Sequence, residues 1–347
     1  MTVPRRQLVD PEVTRYYHCI SRCVRRAFLC GEGYEHRKQW IEDRLELLAA
    51  NFALSVCGFS VMDNHLHVLV RLDVDVADKW SDTEVVRRWL AVYPPRTLDK
   101  GNPQLVKAFV QRVAQDAKRV ATYRQRLQEL GWFMKALKEP LARMANREDD
   151  CRGTFWESRY KSIAILDKEA LLASCAYIDL NLLAAGLAAT PEASHHTSIR
   201  QRVQHARRKG KLAALKEAAK GSVAGSRAAG QLEDSHWLCP LEDRRAKGAT
   251  REGMLENFSL GSYLLLVDHT SRLCRAGKAR VSREVAGILE RLGSSGQLWE
   301  QRLGQLFARS RLLGSFFATD RQRLRQLAAR RGVHHLDNLI PVPAGSG

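Results

Sequence analysis

The sequence predicts an α+β protein in which helices pack against an antiparallel β-sheet. The first observation is the order of the segments over residues 15–185, which is β-α-β-β, a long helical stretch, then β-α. The second is a hydrophobic fraction of 45%, which is ordinary for a globular protein. The third is the length of 347 residues, which favours two domains or one domain with large additions.

The first part of the chain predicts three strands and one helix. Residues 34–51 carry apolar side chains close to helical spacing, whereas the flanking segments are rich in Tyr, Val, Ile and Phe. Asp63 and Asn64 are turn-forming residues, and they separate the second strand from the third. The predicted strands cover residues 15–23, 53–61 and 65–72.

Residues 73–150 predict a helical insertion of about two to four helices. Its first helix begins after Ser81, a good N-cap residue with Glu84 three positions later. The apolar run of this helix stops at the Pro94-Pro95 pair, because proline cannot continue a helix. The insertion therefore interrupts the core between the third strand and the next one.

A strand pattern returns at residues 153–166, and a helix is predicted over residues 168–185. Asp167 is a good N-cap for this helix, and Gly186 is a typical stop. The complete order predicts an antiparallel sheet with helices on one face, which is a ferredoxin-like α+β sandwich.

Composition divides the chain into three predicted parts. Residues 1–195 form the first domain, which includes the insertion. Residues 196–245 are basic and rich in Ala, Gly and Ser, which predicts a linker that is helical in its first half. Residues 246–347 contain amphipathic stretches such as SREVAGILERLG and predict an all-helical C-terminal domain.

The charge balance points to an anionic partner. The chain has 56 Lys+Arg against 38 Asp+Glu, a formal net charge of +18. Such an excess favours nucleic acid first and an anionic membrane surface second, with simple solubility as the remaining explanation. No window reaches the roughly 18 apolar residues of a membrane span, and the N-terminus lacks the apolar core of a signal peptide. We therefore expect no membrane partner and a cytoplasmic location, where the eight cysteines are reduced thiols rather than zinc ligands.

The segment VMDNHLHVLV places His65 and His67 on either side of one leucine. Side chains alternate along a strand, so both imidazoles are predicted to point to the same face. Burying both without partners costs free energy, and a divalent metal ion binds two neutral imidazoles well. Several metal-binding folds use His-x-His, so this pattern alone does not identify one. The Asp-His that follows it in metallo-hydrolases is replaced by apolar residues here.

The helix that contains CAYIDLN offers the next candidates. Tyr177 and Asn181 are four residues apart and therefore lie on one helix face. With the histidines nearby, the Asn181 amide oxygen would complete a metal shell, and the Tyr177 hydroxyl would lie beside it as a nucleophile. The alternative is that Tyr177 is a core aromatic residue and that Asn181 only belongs to the end of the helix.

Three motifs together resemble one family. NHLHVLV, FWESRYKS and YIDLNLLAAGL, in this order, are similar to the single-tyrosine HUH transposases of insertion sequences, above all to the REP-associated tyrosine transposases. The resemblance covers roughly residues 12–190. Where relatives usually have Asn-Pro-x-Arg-Ala-Gly, this chain has NLLAAG.

This resemblance implies a ferredoxin-like fold and a divalent metal ion, Mg²⁺ or Mn²⁺, on His65 and His67. It also implies Tyr177 as the nucleophile and Asn181 as a polar metal ligand one turn later. The implied substrate is single-stranded DNA, often next to an imperfect hairpin. Cleavage would leave a 5′-phosphotyrosine link and a free 3′-OH, in a monomer or a homodimer.

Basic and aromatic residues near the motifs are candidate DNA contacts, because Arg and Lys bind phosphates and aromatic rings stack on bases. Trp156 has a core position as its alternative. His18 could approach the histidine pair from the first strand, but an ordinary core or surface position is favoured for it. A DNA-binding protein without catalysis is the alternative function, although such a protein has no need for the complete set of candidate catalytic residues. The candidate DNA contacts are Arg22, Arg25, Arg26, Trp156, Arg159 and Lys161.

Overall fold

The computed structural model describes residues 9–99, 101–219 and 222–276, together with Trp299 and Phe316–Phe317. Four antiparallel strands form the centre of the fold, in the spatial order β2-β3-β1-β4. The dipeptide Phe316–Phe317 (β5) adds a short parallel pair to the outer side of β4. The four strands are β1 (Tyr16–Arg22), β2 (Leu54–Val61), β3 (His65–Leu72) and β4 (Lys161–Ile165). The α+β class and the antiparallel sheet are thereby confirmed.

Eleven α-helices lie in the described part of the chain. The first precedes β2, four form the insertion between β3 and β4, and six follow β4. They are α1 (Glu35–Asn51), α2 (Asp82–Val92), α3 (Pro103–Ala114), α4 (Ala117–Gln128), α5 (Leu130–Glu148), α6 (Lys168–Asp179), α7 (Asn181–Ala184), α8 (Ser198–Arg208), α9 (Leu212–Ala219), α10 (Val223–Asp234) and α11 (Leu260–Ala276). Among the described residues, no helix has the length and apolarity needed to cross a bilayer.

Helices cover both faces of the sheet, so the prediction of helices on one face is wrong. One core contains alternate strand residues such as Cys19 and Val68, and it packs against α1 and the insertion helices. The other core contains Ile20 and Leu69 and packs against α6 and the helices that follow. The reason is that neighbouring residues on the central strands are both buried, which leaves no solvated face on either strand.

The segment around the predicted fourth strand differs from the prediction in two ways. Only Lys161–Ile165 is a strand, because residues 153–160 form an irregular segment in which Trp156 makes an isolated bridge with Cys23. The predicted helix over 168–185 is divided at Leu180, where φ is −96° and ψ is 0°. The predicted stop is confirmed, since Gly186 has a φ of +74° and directly follows Ala185, the C-cap residue of α7.

The segment 196–245, predicted as a basic linker that is helical in its first half, contains α8, α9 and α10. Arg202 of α8 is buried and pairs with Glu233 of α10, and its guanidinium also donates to the carbonyl oxygens of Cys57 and Cys239. A basic residue in this segment is therefore a core contact and not part of a solvated charge run. Most of the predicted C-terminal domain lies outside the described residues, including SREVAGILERLG; α11 is its described helix.

Candidate metal and tyrosine site

Three imidazoles lie on one face at the same end of the sheet. In the register of β1 and β3, Arg22 is opposite His65 and Ile20 is opposite His67, so His18 also points to this face. The ring centroids of His65 and His67 are 4.9 Å apart, and those of His18 and His67 are 5.1 Å apart. The prediction that His65 and His67 share a face is confirmed.

Each of the two motif histidines uses its Nδ1 atom in a hydrogen bond. The Nδ1 atom of His67 lies 2.9 Å from the Nε2 atom of His18, and the Nδ1 atom of His65 lies 2.6 Å from the Oδ1 atom of Asn64. The Nε2 atom of His67 is buried and has no hydrogen-bond partner among the described residues. A buried nitrogen without a partner costs free energy, so this atom is suited to a ligand.

Helix α6 carries Tyr177 onto the same face. Its ring lies 5.6 Å from the ring of His67 and 6.1 Å from the ring of His18, in both cases close to edge-on. All ten residues from Ala170 to Asp179 are buried, because α6 lies between the sheet and the helices that follow it. Tyr177 itself is 4% exposed. The structure thus brings together a phenol and three imidazoles from three elements.

Burial keeps the three imidazoles neutral. Desolvation lowers the pKa of His18 to about 3 and that of His65 to about 4, and it lowers the pKa of His67 well below its usual value. The positive charge of Arg22 adds to the lowering of the pKa at His65 and His67. Neutral imidazoles are the form that binds metal ions, so these histidines need not lose a proton first.

Burial raises the pKa of Tyr177 above its ordinary value, and the charge of Arg22 opposes that shift. In the resting site the hydroxyl is therefore protonated at neutral pH. Arg22, predicted only as a DNA contact, is opposite His65 in the strand register, and its charge lowers the pKa of both motif histidines and of Tyr177. A cation in this position stabilises negative charge on the tyrosine oxygen.

The donor set fits a divalent cation through the two motif histidines. Among the described residues, no group of three or more His, Cys, Asp or Glu side chains is arranged to hold a metal ion. The three imidazoles do not converge on one point, because the Nε2 atom of His18 faces His67. A further ligand would therefore come from another residue type. Asn181 begins α7, its Nδ2 atom is buried without a hydrogen-bond partner in the described part of the chain, and its role as a ligand stays a prediction.

Asp179 holds the tyrosine helix in place, which the sequence did not indicate. One of its oxygens accepts hydrogen bonds from the Ser198 hydroxyl and from the backbone N–H of Ile199 at the start of α8. The other oxygen accepts a hydrogen bond of 2.5 Å from the Tyr263 hydroxyl of α11. Asp179 is completely buried, so these bonds fix α6 two residues beyond Tyr177.

Two candidate DNA contacts flank the histidine face at the start of β4. Lys161 is exposed and pairs with Ile20, which places its side chain on the same face as His18. Arg159 is exposed in the irregular segment before this strand. Both side chains are therefore available to a phosphate backbone.

The other candidate DNA contacts lie in two different surroundings. Arg25 and Arg26 are exposed in the turn after β1, where their φ angles are +52° and +56°. Trp156 is half-buried against the opposite core, and its indole N–H donates to the Lys138 carbonyl oxygen. The structure therefore groups five of the six candidates around one end of the sheet or its histidine face, and places Trp156 in a packing position.

Comparison with protein-family models, with curated proteins and with solved structures finds no match for this chain. Function therefore has to be argued from the site itself. Sequence reasoning treated Asn64 only as a turn residue, although its position directly before His65 was a usable signal. The approach of His18 to the histidine pair, which the sequence analysis names as possible, is produced by the pairing of β1 with β3.

Proposed function

We propose that this protein cleaves and rejoins single-stranded DNA next to a hairpin, as a strand transferase of the single-tyrosine HUH type. The observation that carries the proposal is the edge-on contact between Tyr177 and His67, beside a second neutral motif histidine. The strand order β2-β3-β1-β4 with antiparallel neighbours supports a ferredoxin-like core for this site.

The chemistry assigned to Tyr177 is attack of its hydroxyl oxygen on the phosphorus of a DNA phosphodiester. The bond to the 3′ oxygen breaks, the phenol loses its proton, and the leaving oxygen gains one as a free 3′-OH. The 5′ phosphate stays on the tyrosine, and attack by a 3′-OH reverses the step and rejoins the strand. Arg22 favours the phenolate, since its charge lowers the pKa of Tyr177 against the effect of burial.

His65 and His67 would hold the divalent ion, with Asn181 as the proposed further ligand. When bound, Mg²⁺ or Mn²⁺ withdraws charge from the phosphoryl oxygens. The histidines and Tyr177 are on two different elements, so packing of α6 against the sheet sets the distance between the metal ligands and the nucleophile. The net charge of +18 and the exposed cations near this face favour the DNA backbone as partner.

A DNA-binding protein without catalysis is the second candidate. The observation that favours it is the 4% exposure of Tyr177, because a nucleophile must reach its substrate. In that case the protein would bind hairpin DNA without forming any covalent product.

The deciding experiment is incubation with a library of single-stranded hairpin DNAs and Mn²⁺ or Mg²⁺. We expect a protein–DNA adduct that survives denaturant, carries the 5′ phosphate on Tyr177 and is absent in excess chelator. Tight hairpin binding without any adduct, for every library member and either metal, would favour the second candidate.

A further inference from the structure

Asn64 fixes the position of the proton on His65. The Nδ2 atom of Asn64 donates a hydrogen bond to the Arg26 carbonyl oxygen at 3.2 Å, which defines the orientation of the amide. The atom that faces the Nδ1 atom of His65 is therefore the amide oxygen, at 2.6 Å. An amide oxygen only accepts hydrogen bonds, so Nδ1 of His65 carries the hydrogen. The Nε2 atom of this neutral ring then has a lone pair.

The turn after β1 provides the acceptor that holds Asn64. Arg25 and Arg26 both have positive φ angles, a conformation that costs a non-glycine residue free energy and persists only where surrounding contacts offset that cost. In this conformation the Arg26 carbonyl oxygen meets Asn64, while the backbone N–H of Cys23 bonds to the Asn64 carbonyl oxygen at 2.8 Å. The side chain and the backbone carbonyl of Asn64 are therefore both held by this turn.

His18 makes the corresponding hydrogen bond to the Nδ1 atom of His67. The pair is buried, with His18 and His67 each 3% exposed, and the hydrogen bond joins Nε2 of His18 to Nδ1 of His67. If His67 donates this bond, its buried Nε2 atom is a bare lone pair. If His18 donates it, the Nε2 atom of His67 is an N–H group with no acceptor among the described residues. Only the first arrangement matches His65 and suits a cation.

We propose that Asn64 and His18 are positioning residues that hold His65 and His67 in the tautomer with hydrogen on Nδ1. Both Nε2 lone pairs are then presented to a divalent cation before it arrives. This inference rests on the proposed function for the identity of the ligand. It also assigns His18 to the shell behind the metal ligands, because the lone pair of its Nε2 atom is used by His67.

The first test measures tautomers in the metal-free protein by nitrogen-15 NMR of the histidine rings at neutral pH. We expect the Nδ1–H form for both His65 and His67. The Nε2–H form at either residue would overturn the inference, and this measurement needs no variant that has to fold.

The second test is a Mn²⁺ titration followed by electron paramagnetic resonance. Asn64→Ala and His18→Leu remove the acceptors and should weaken Mn²⁺ binding by about 10- to 100-fold, the range found when such supporting contacts are lost. His18→Gln keeps an oxygen acceptor near the same place and should bind Mn²⁺ nearly as well as the wild type. Equal affinity in all three variants, or no Mn²⁺ binding by the wild type, would contradict the inference.

The two proposals fail in different ways. A wild-type protein that binds Mn²⁺ through Nδ1–H histidines but never forms a DNA adduct would contradict the proposed strand transfer and leave the assignment of Asn64 and His18 supported. Adduct formation with an Nε2–H tautomer at His67 would support the proposed strand transfer and contradict the assignment of Asn64 and His18.

Discussion

The rings of His67 and Tyr177 meet edge to face, with 5.6 Å between their centroids and 83° between their planes. His67 belongs to the central strand β3. Tyr177 belongs to α6, which comes much later in the chain and packs on the same face of the sheet. Any reaction that needs both groups therefore depends on the fit between β3 and α6.

Tyr177→Phe removes one hydroxyl group from the site. We expect no adduct and no cleavage, with hairpin DNA affinity nearly unchanged, because the nucleophile acts in the transition state and contributes little to binding. A gel under denaturing conditions and a binding titration measure the two effects. Tyr93→Phe is the matched control, since the Tyr93 hydroxyl is also buried but lies beyond α2 in the insertion. Wild-type cleavage by Tyr177→Phe would show that the nucleophile is another group.

The dependence of cleavage on Mn²⁺ concentration should distinguish His67 from Asn181, the two kinds of proposed metal ligand. His67→Ala should abolish cleavage at any Mn²⁺ concentration, because His65 and the proposed ligand Asn181 cannot hold a weakly bound ion once the second imidazole is lost. Asn181→Ala should instead raise the Mn²⁺ needed for half-maximal cleavage by about 10- to 100-fold, and excess metal should restore much of the rate. A metal titration of Asn181→Ala that overlays the wild type would assign Asn181 to helix structure only.

The stability of the protein should fall in acid because of its buried histidines. Burial lowers the pKa of His18 and His236 to about 3 and that of His65 to about 4, against an ordinary value of 6.5. As pH falls below 6.5 the unfolded chain takes up these protons first, so the free energy of unfolding decreases down to about pH 3. Glu233 has the opposite effect on the free energy of unfolding. Burial raises its pKa to about 7, so between pH 7 and about 4.5 the folded carboxyl takes up its proton before the unfolded one does, and this contribution to stability increases as the pH falls.

His236→Asn isolates one of these contributions away from the proposed metal site. The Asn side-chain oxygen can replace the Nδ1 atom of His236, which accepts a hydrogen bond from the Leu238 backbone N–H at 3.1 Å. Urea unfolding at a series of pH values should show a smaller loss of stability between pH 6.5 and 4 in this variant than in the wild type. Parallel curves would mean that His236 is protonated as easily in the folded protein as in the unfolded chain.

Binding of single-stranded DNA should weaken as salt rises, with a log–log slope of roughly −0.7 for each phosphate contacted. Lys161→Ala and Arg159→Ala should each reduce the steepness of this slope by about 0.7 and weaken binding to all sequences alike. Lys107→Ala, an exposed cation of α3 in the insertion, serves as the control. If Lys107→Ala changes the slope and the other two variants do not, the DNA surface lies on the insertion.

Asp179→Ala should destabilise the fold more than it changes any chemistry. It leaves the Tyr263 hydroxyl and the N–H of Ile199 without their acceptor, and it leaves the Ser198 hydroxyl with only its 3.3 Å bond to the Phe59 carbonyl oxygen. We expect a loss of about 2–4 kcal/mol in the free energy of unfolding, measured with urea. Asp179→Asn keeps one oxygen acceptor for α8 and should lose less. Similar losses in both variants would mean that the negative charge, and not the acceptor geometry, stabilises this contact.

Local patterns predicted the elements that have strong periodicity. The strand at 65–72 has the predicted bounds, and Gly186 ends the helical segment as expected, because alternation and a left-handed C-terminal residue are properties of neighbouring residues. The prediction of a strand over residues 153–160 is wrong. Their apolar residues Phe155 and Tyr160 are buried, but the segment pairs with β1 only through an isolated bridge.

The contacts around the site depend on pairing between distant segments. The bond from His18 to His67 follows from the register of β1 and β3, and no property of either segment alone specifies it. The hydrogen bond between Asp179 and Tyr263 joins two helices that carry no shared pattern. Which face of the sheet the later helices cover could not be predicted for the same reason.

The contact between Asp179 and Tyr263 spans 84 positions of the chain, and this affects the order in which the site is assembled during synthesis. Both motif histidines and Tyr177 leave the ribosome well before Tyr263 is translated. Until then, one of the two carboxylate oxygens that fix α6 lacks its partner, and α11 is not yet there to cover the helix. A nascent chain therefore contains His65, His67 and Tyr177 before it contains the residue that completes the hydrogen bonds of Asp179.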